Sequence, residues 1–256
     1  LGVGRETPRE VELVDLRQSN ISDQRRDHVS HSAGQEKSQP PRCALTFDVE
    51  DWYQGFLARG IDGWQNHPSR ERENVERILR ILEEFKTTAT FFVLSGFAER
   101  QSDVVRRIAA AGHEIATHGH AHKPLHFFSR ETFRDDLKHS IHVLEDLVGK
   151  KVLGHRATSW SLTRHCLWAL DVLVEEGLLY DSSIFPTSMH KYGFPSSPTR
   201  PFRVQLSGDR SLIELPAQVW SLGPLRIPVA GGFYLRALPL LFSRYGLRQS
   251  RRKSGS

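Results

Sequence analysis

Four of the chain's thirteen histidines fall within nine residues, His118-Gly119-His120-Ala121-His122 and then His126. About seventy residues upstream, the apolar run Cys43-Ala44-Leu45-Thr46-Phe47 ends in Asp48-Val49-Glu50-Asp51. Neutral imidazoles and carboxylates suit a divalent metal, and a site with three protein ligands leaves a position open for water. These residues therefore point first to a metal-dependent hydrolase. His118 and His122 are four apart, so on a helical turn they share a face while His120 points away.

The His-x-x-x-His spacing is common by itself. The zinc-protease helix carries Glu directly after its first histidine, and here that position is Gly119, which argues against a protease. The acids sharpen the reading. Two close carboxylates are costly unless a cation sits between them, so a ligand from the Asp48–Asp51 loop would complete a His–His–carboxylate site. Arg156 follows Gly154-His155 and is a candidate partner for Asp48, fixing its orientation and ionisation. Asp181, in Tyr180-Asp181-Ser182-Ser183, either caps a turn or joins the same rim.

Those residues need a scaffold. Cys43–Phe47, Ala89–Leu94, His113–Thr117, Val152–Gly154, Leu178–Ile184 and Ser211–Leu215 read as strands. Arg70–Phe85 reads as a helix with Val75, Ile78, Leu79, Leu82 and Phe85 on one face. Ser102–Ala111 reads as a helix capped by Ser102 and closed by Gly112. Ser129–Val148 is a long helix in which Ser129 and Thr132 fall short of a full capping box. Thr163–Glu176 completes the set. Alternating strands and helices imply an α/β fold with a mostly parallel sheet, in a closed or nearly closed barrel. Asp48, His118, Arg156 and Asp181 all fall at or just after strand ends, where such barrels gather catalytic groups.

Composition bounds the rest. The 256 residues, 38% of them hydrophobic, suffice for one large domain or two small ones. Cys43 and Cys166 read as buried reduced thiols. Residues 244–256 carry five basic side chains and no acid, which accounts for the whole net charge of +5. A basic tail without a basic face argues against nucleic acid. No apolar run is long enough to span a membrane, and no secretory h-region opens the chain, so a cytoplasmic location is expected. Residues 1–41 are polar and read as a disordered segment, with a short helix near Glu10–Leu16 as an option. The expected organisation is this segment, a domain over 42–247, and a basic tail over 248–256.

Taken together, the motifs resemble the polysaccharide deacetylase family, carbohydrate esterase family 4. The resemblance rests on Thr46-Phe47-Asp48-Val49-Glu50-Asp51, the His118/His122 pair, Gly154-His155-Arg156-Ala157-Thr158, Tyr180-Asp181-Ser182-Ser183 and Leu212-Ile213-Glu214-Leu215-Pro216. It covers about residues 43–247. Asp48-Val49-Glu50-Asp51-Trp52-Tyr53 and Gly231-Gly232-Phe233-Tyr234-Leu235-Arg236-Ala237-Leu238-Pro239 are similar to a subgroup associated with exopolysaccharide and exosortase clusters.

The resemblance implies a distorted seven-stranded barrel and metal-assisted removal of N-acetyl groups from an amino-sugar polysaccharide or oligosaccharide. It implies that His118 and His122 bind Zn²⁺, or Co²⁺ or Ni²⁺. The family's usual second aspartate is replaced by Val49, so the third ligand is assigned to Glu50, with Asp51 as the alternative. Asp48 is then the general base and Arg156 its partner. Trp52, Tyr53, Trp160 and Asp181 are assigned to substrate binding, and ring stacking on a sugar competes with plain packing for each aromatic. The family's late histidine acid and last strand are not found after His190, and His155 is a conceivable substitute. Two alternatives stand beside this reading: a C–N hydrolase of cyclic ureides or imides, and a catalytically impaired carbohydrate-binding protein.

Overall fold

The computed structural model describes residues 12–15, 44–51, 53, 68–188 and 193–254. They divide into two compact units, residues 1–43 with 184–256, and residues 44–183. In the first unit, β1 (Glu12–Asp15) lies on the N-terminal segment. The second unit then runs β2 (Thr46–Val49), α1 (Glu71–Glu84), β3 (Thr90–Val93), α2 (Ser95–Arg100), α3 (Ser102–Ala110), β4 (Glu114–Thr117), α4 (Arg130–Val148), β5 (Gly154–His155), α5 (Trp168–Glu175) and β6 (Tyr180–Asp181). The chain returns to the first unit with β7 (Phe202–Gln205), β8 (Ser211–Glu214), β9 (Val219–Leu222), β10 (Leu225–Pro228), α6 (Gly232–Ala237) and α7 (Leu240–Ser254).

In the unit 44–183, β2 to β6 lie side by side in chain order and all pair in parallel. A strand covered on both faces needs an apolar run, and Thr-Phe-Phe-Val of β3 supplies one, with Phe91, Phe92 and Val93 fully buried. Register aligns Val49 with Val93, Val93 with Thr117, Thr117 with His155 and His155 with Asp181. The C-terminal ends of five strands thus finish at one level, and the residues after them share a rim. Strands β5 and β6 have two residues each, shorter than the sequence reading. Gly154 allows them to approach: a Cβ there would stand 2.0 Å from Tyr180 Cζ.

The helices follow their patterns with instructive departures. Helix α1 buries Val75 and Leu82, but Phe85, expected on the same face, is exposed. Helix α3 begins at Ser102 itself, with Gln101 in the cap position and no side-chain cap bond, so Ser102 is not the cap. Helix α4 does have a full capping box: Ser129 Oγ accepts from Thr132 N and Thr132 Oγ1 accepts from Ser129 N. Threonine thus does what glutamate usually does there. The expected helix Thr163–Glu176 is a 3₁₀ turn, Arg164–Cys166, followed by α5. Cys166 is a buried free thiol, and Cys43 lies outside the described residues.

In the other unit, β1 pairs antiparallel with β7, and β7 with β8, while β9 and β10 form a hairpin. A strand at Glu12–Asp15 replaces the optional helix near Glu10–Leu16, because its backbone groups find a partner in Phe202–Gln205 far along the chain. The basic segment after residue 247 continues α7 to Ser254. Trp220 stacks on Tyr245 and meets Phe242 edge-on, so its ring packs against α7. Among the described residues, no helix is long and apolar enough to cross a membrane.

Candidate functional site

The site is built on the rim of the parallel sheet, from the strand ends upward. Alternation along β2 and its extension sends Val49 and Asp51 inward, each 3% exposed, and Asp48 and Glu50 to the other side. His118 follows the last residue of β4. His122 follows four residues later in an irregular loop, not on a helical turn. The loop closes through left-handed backbone at Gly119 (φ 80°) and at His122 (φ 55°). This corrects the helical expectation, since the two rings converge by a tight turn instead of by helical spacing.

Glu50, His118 and His122 each bring a ligand atom within 4.8 Å of the others. Glu50 Oε2 stands 2.6 Å from His122 Nε2 and 3.6 Å from His118 Nε2. It is buried and accepts no hydrogen bond. An orphaned, buried carboxylate oxygen facing two imidazoles is what a divalent cation would satisfy, so these residues fit the group that the sequence implies. His118 Nδ1 lies 2.8 Å from the Arg156 carbonyl oxygen, which fixes the ring and leaves Nε2 facing Glu50. Burial opposes charge on Glu50, yet the two imidazoles outweigh it and hold its carboxyl below the usual range. Burial also opposes charge on His118, while Asp48 and Glu50 overcome this and raise its pKa.

Asp48 Oδ1 accepts a 2.7 Å hydrogen bond from Arg156 Nη1. Arg156 is buried and held on every side. Its Nε donates to Ser182 O at 3.0 Å, its Nη2 to Ser182 Oγ at 2.7 Å, and its backbone N to Thr117 O at 3.0 Å. The guanidinium lies 4.0 Å from the Phe92 ring centroid and 5.0 Å from that of Trp160. A planar fork held on two rings is not reproduced by an ammonium. Arg156→Lys is expected to lower turnover about 10²-fold by releasing Asp48, with metal stoichiometry unchanged. Equal turnover in the two proteins would remove Arg156 from the site.

The remaining candidates are sorted by their contacts. Asp51 accepts from Tyr53 Oη at 2.7 Å and from Arg70 N at 3.1 Å, so it is turned away from the histidines and is not the ligand. Tyr53 is itself buried on Asp51, which corrects its assignment to substrate. Asp181 is fully buried and accepts from Ser183 Oγ at 2.7 Å, with His155 Nδ1 at 2.8 Å from the same oxygen. It therefore braces the rim and does not meet substrate. His155 is buried and held through its Nδ1 by that contact. Trp160 keeps partial exposure beside Arg156, with left-handed backbone (φ 53°). Trp52 lies outside the described residues. Ser182 and Phe92, which grip Arg156, were missed as site residues; the serine sits in a stretch from which only Asp181 was chosen.

Below the rim, Asp51 faces the buried Glu71. Burial first, and then the neighbouring Asp51, push the Glu71 carboxyl up to about 8. The folded chain thus holds a proton there that the unfolded chain releases near pH 4.5. Stability from this group is intact below that pH and is lost as the pH rises towards about 8. Glu71→Gln is expected to flatten this dependence and raise the denaturation midpoint at pH 8, and urea titrations at pH 5 and 8 check it.

Comparisons with known proteins bear on the family of the chain. The model of the polysaccharide deacetylase family matches residues 35–171, a stretch that contains Asp48, Glu50, His118, His122 and Arg156. A second model, a domain of unknown function (DUF3473), matches residues 182–256. A peptidoglycan deacetylase of Helicobacter pylori is 26% identical over 118 residues, covering 46% of this chain and 39% of that protein. A chitooligosaccharide deacetylase of Rhizobium leguminosarum bv. trifolii is 32% identical over 97 residues, covering 38% of this chain and 42% of that protein. The chain thus spans about two fifths of the length of these relatives. Among solved structures, one assigned to the polysaccharide deacetylases, from Mycobacterium smegmatis, superposes with a TM-score of 0.64 at 27% identity, over 88% of this chain and 78% of that one. An allantoinase shares the fold at 16% identity with a TM-score of 0.54, over 82% of this chain and 72% of that one. With the first model matching more than half of its residues, the chain belongs to the polysaccharide deacetylase family.

Proposed function

We propose that this protein removes N-acetyl groups from an amino-sugar polysaccharide or oligosaccharide, using a divalent cation held by Glu50, His118 and His122. The observation that carries this is the buried, unbonded Oε2 of Glu50 facing both histidines. The deacetylase names of the relatives support the substrate class. Zinc is the first choice of ion, with cobalt and nickel compatible with the same donors.

When bound, the cation lowers the pKa of its water towards ~7 and polarises the acetamide carbonyl. The residues of the chain do the rest. Asp48 accepts the proton as water attacks the carbonyl carbon, and it returns that proton to the leaving amine nitrogen as the C–N bond breaks and acetate is released. Arg156 aims Asp48 through the bond to Oδ1. Arg156 in turn cannot swing, because Ser182, Phe92 and Trp160 fix it. His118 is held in one orientation by the Arg156 carbonyl, so base and ligand share one anchor residue. Trp160, half-exposed at this point, is the aromatic retained as a sugar platform.

The test is acetate release from N-acetylglucosamine oligomers by the zinc-loaded chain. Release that scales with enzyme supports the reading. Metal binding without acetate from any amino sugar sinks the activity, and glycan binding that survives Asp48→Ala in a protein without turnover would identify a binding protein instead.

A further inference from the structure

The deacetylase reading uses His118 and His122 and leaves the middle histidine of His-Gly-His-Ala-His unexplained. His120 leaves the turn in another direction and meets two different helices. Its Nδ1 lies 3.0 Å from Ser95 Oγ at the start of α2. Its ring stands edge-on to His139 of α4, with centroids 4.7 Å apart. His139 Nε2 is in turn 3.1 Å from Glu99 Oε1 of α2. Ligand atoms of Glu99, His120 and His139 all lie within 4.8 Å of one another.

We propose that Glu99, His120 and His139 form a second site for a divalent transition metal, separate from Glu50, His118 and His122. Several observations converge on it. Two imidazoles and one carboxylate are donors of intermediate softness, which select zinc, cobalt, nickel or copper over magnesium or calcium. Ligands held ~2.0–2.1 Å from a tetrahedral ion stand ~3.3 Å apart, close to the separation of His139 and Glu99. The Ser95 contact at Nδ1 orients the His120 ring and frees Nε2, the arrangement that metal-binding histidines require. The peptide around His120 is pinned on both sides before any ion arrives. Ser95 N donates to Gly119 O, Gly96 N donates to His120 O, and His120 N donates to Asp136 Oδ2. A simple Glu99–His139 ion pair needs neither the third ligand nor this preparation.

The site would clamp α2 and α4 around the loop that carries His118 and His122. Its ligands are half-exposed or exposed, so its ion exchanges more readily than the inner one. The histidine cluster would then supply two sites, with His120 grouped apart from His118 and His122.

The experiment measures zinc equivalents bound by tag-free, metal-stripped chain, using calorimetry and elemental analysis, with circular dichroism as the folding control. The parent is expected to bind two equivalents, the second at least tenfold weaker. The double variant E99A/H139A should keep the tight equivalent and lose the weak one, so that excess zinc raises its melting midpoint less than it raises the parent's. The double variant H118A/H122A should lose only the tight one, which tests the deacetylase site independently. A parent that saturates at one equivalent, or an E99A/H139A protein that still binds two, overturns the second site. H120A guards against a folding artefact in the helix variants: it too must lose the weak equivalent alone.

Discussion

His118→Ala is expected to abolish acetate release, by ~10³-fold or more, and to remove the tight metal equivalent. A cation held there would contribute several kcal/mol to charge stabilisation, and each ~1.4 kcal/mol is a factor of ten in rate. The substitution does double damage here. It removes a ligand and also frees the Arg156 carbonyl oxygen, which His118 Nδ1 approaches at 2.8 Å. Chelation of the parent should reproduce the activity loss, and added zinc should reverse it only in the parent. Metal-independent acetate release by the variant would refute the cation's role.

Asp48→Asn is expected to lower turnover by ~10²–10⁴-fold, the usual contribution of a positioned base. The amide is nearly isosteric and can still face Arg156, so the tight metal equivalent should remain. That contrast is the diagnostic part: activity falls while stoichiometry holds. Loss of metal together with activity would reassign Asp48 to the ligand set. A variant with unchanged turnover would leave the proposed proton transfer without an acceptor.

The strands that form the rim were legible because they are dense in signal. Thr-Phe-Phe-Val is an unbroken apolar run, and the structure holds β3 over the same residues. The pairing of Glu12–Asp15 was not legible, since its partner lies near residue 204 and composition reports only neighbours. The choice between Glu50 and Asp51 was readable in principle. Period-two alternation along Asp48-Val49-Glu50-Asp51 puts the first and third residues on one side, and burial of Val49 and Asp51 follows that rule. The shape of the histidine turn was not readable, because nothing in local propensity announces a left-handed histidine at position 122. Asp181 and Tyr53 misled for a common reason. Polar groups beside a site suggest substrate contact, whereas these two are buried and bonded to their neighbours.

Strands β5 and β6 contribute only Gly154, His155, Tyr180 and Asp181 to the sheet. So short a seam has few backbone rungs where Arg156 emerges. Side chains supply the missing stitches: His155 to Asp181, Ser183 to Asp181, Ala157 N to Ser183 Oγ, and Arg156 to Ser182. Arg156 is thus sewn in by a polar seam. Anyone transplanting this rim to another scaffold would have to carry His155, Asp181, Ser182 and Ser183 with it to keep Arg156 in place.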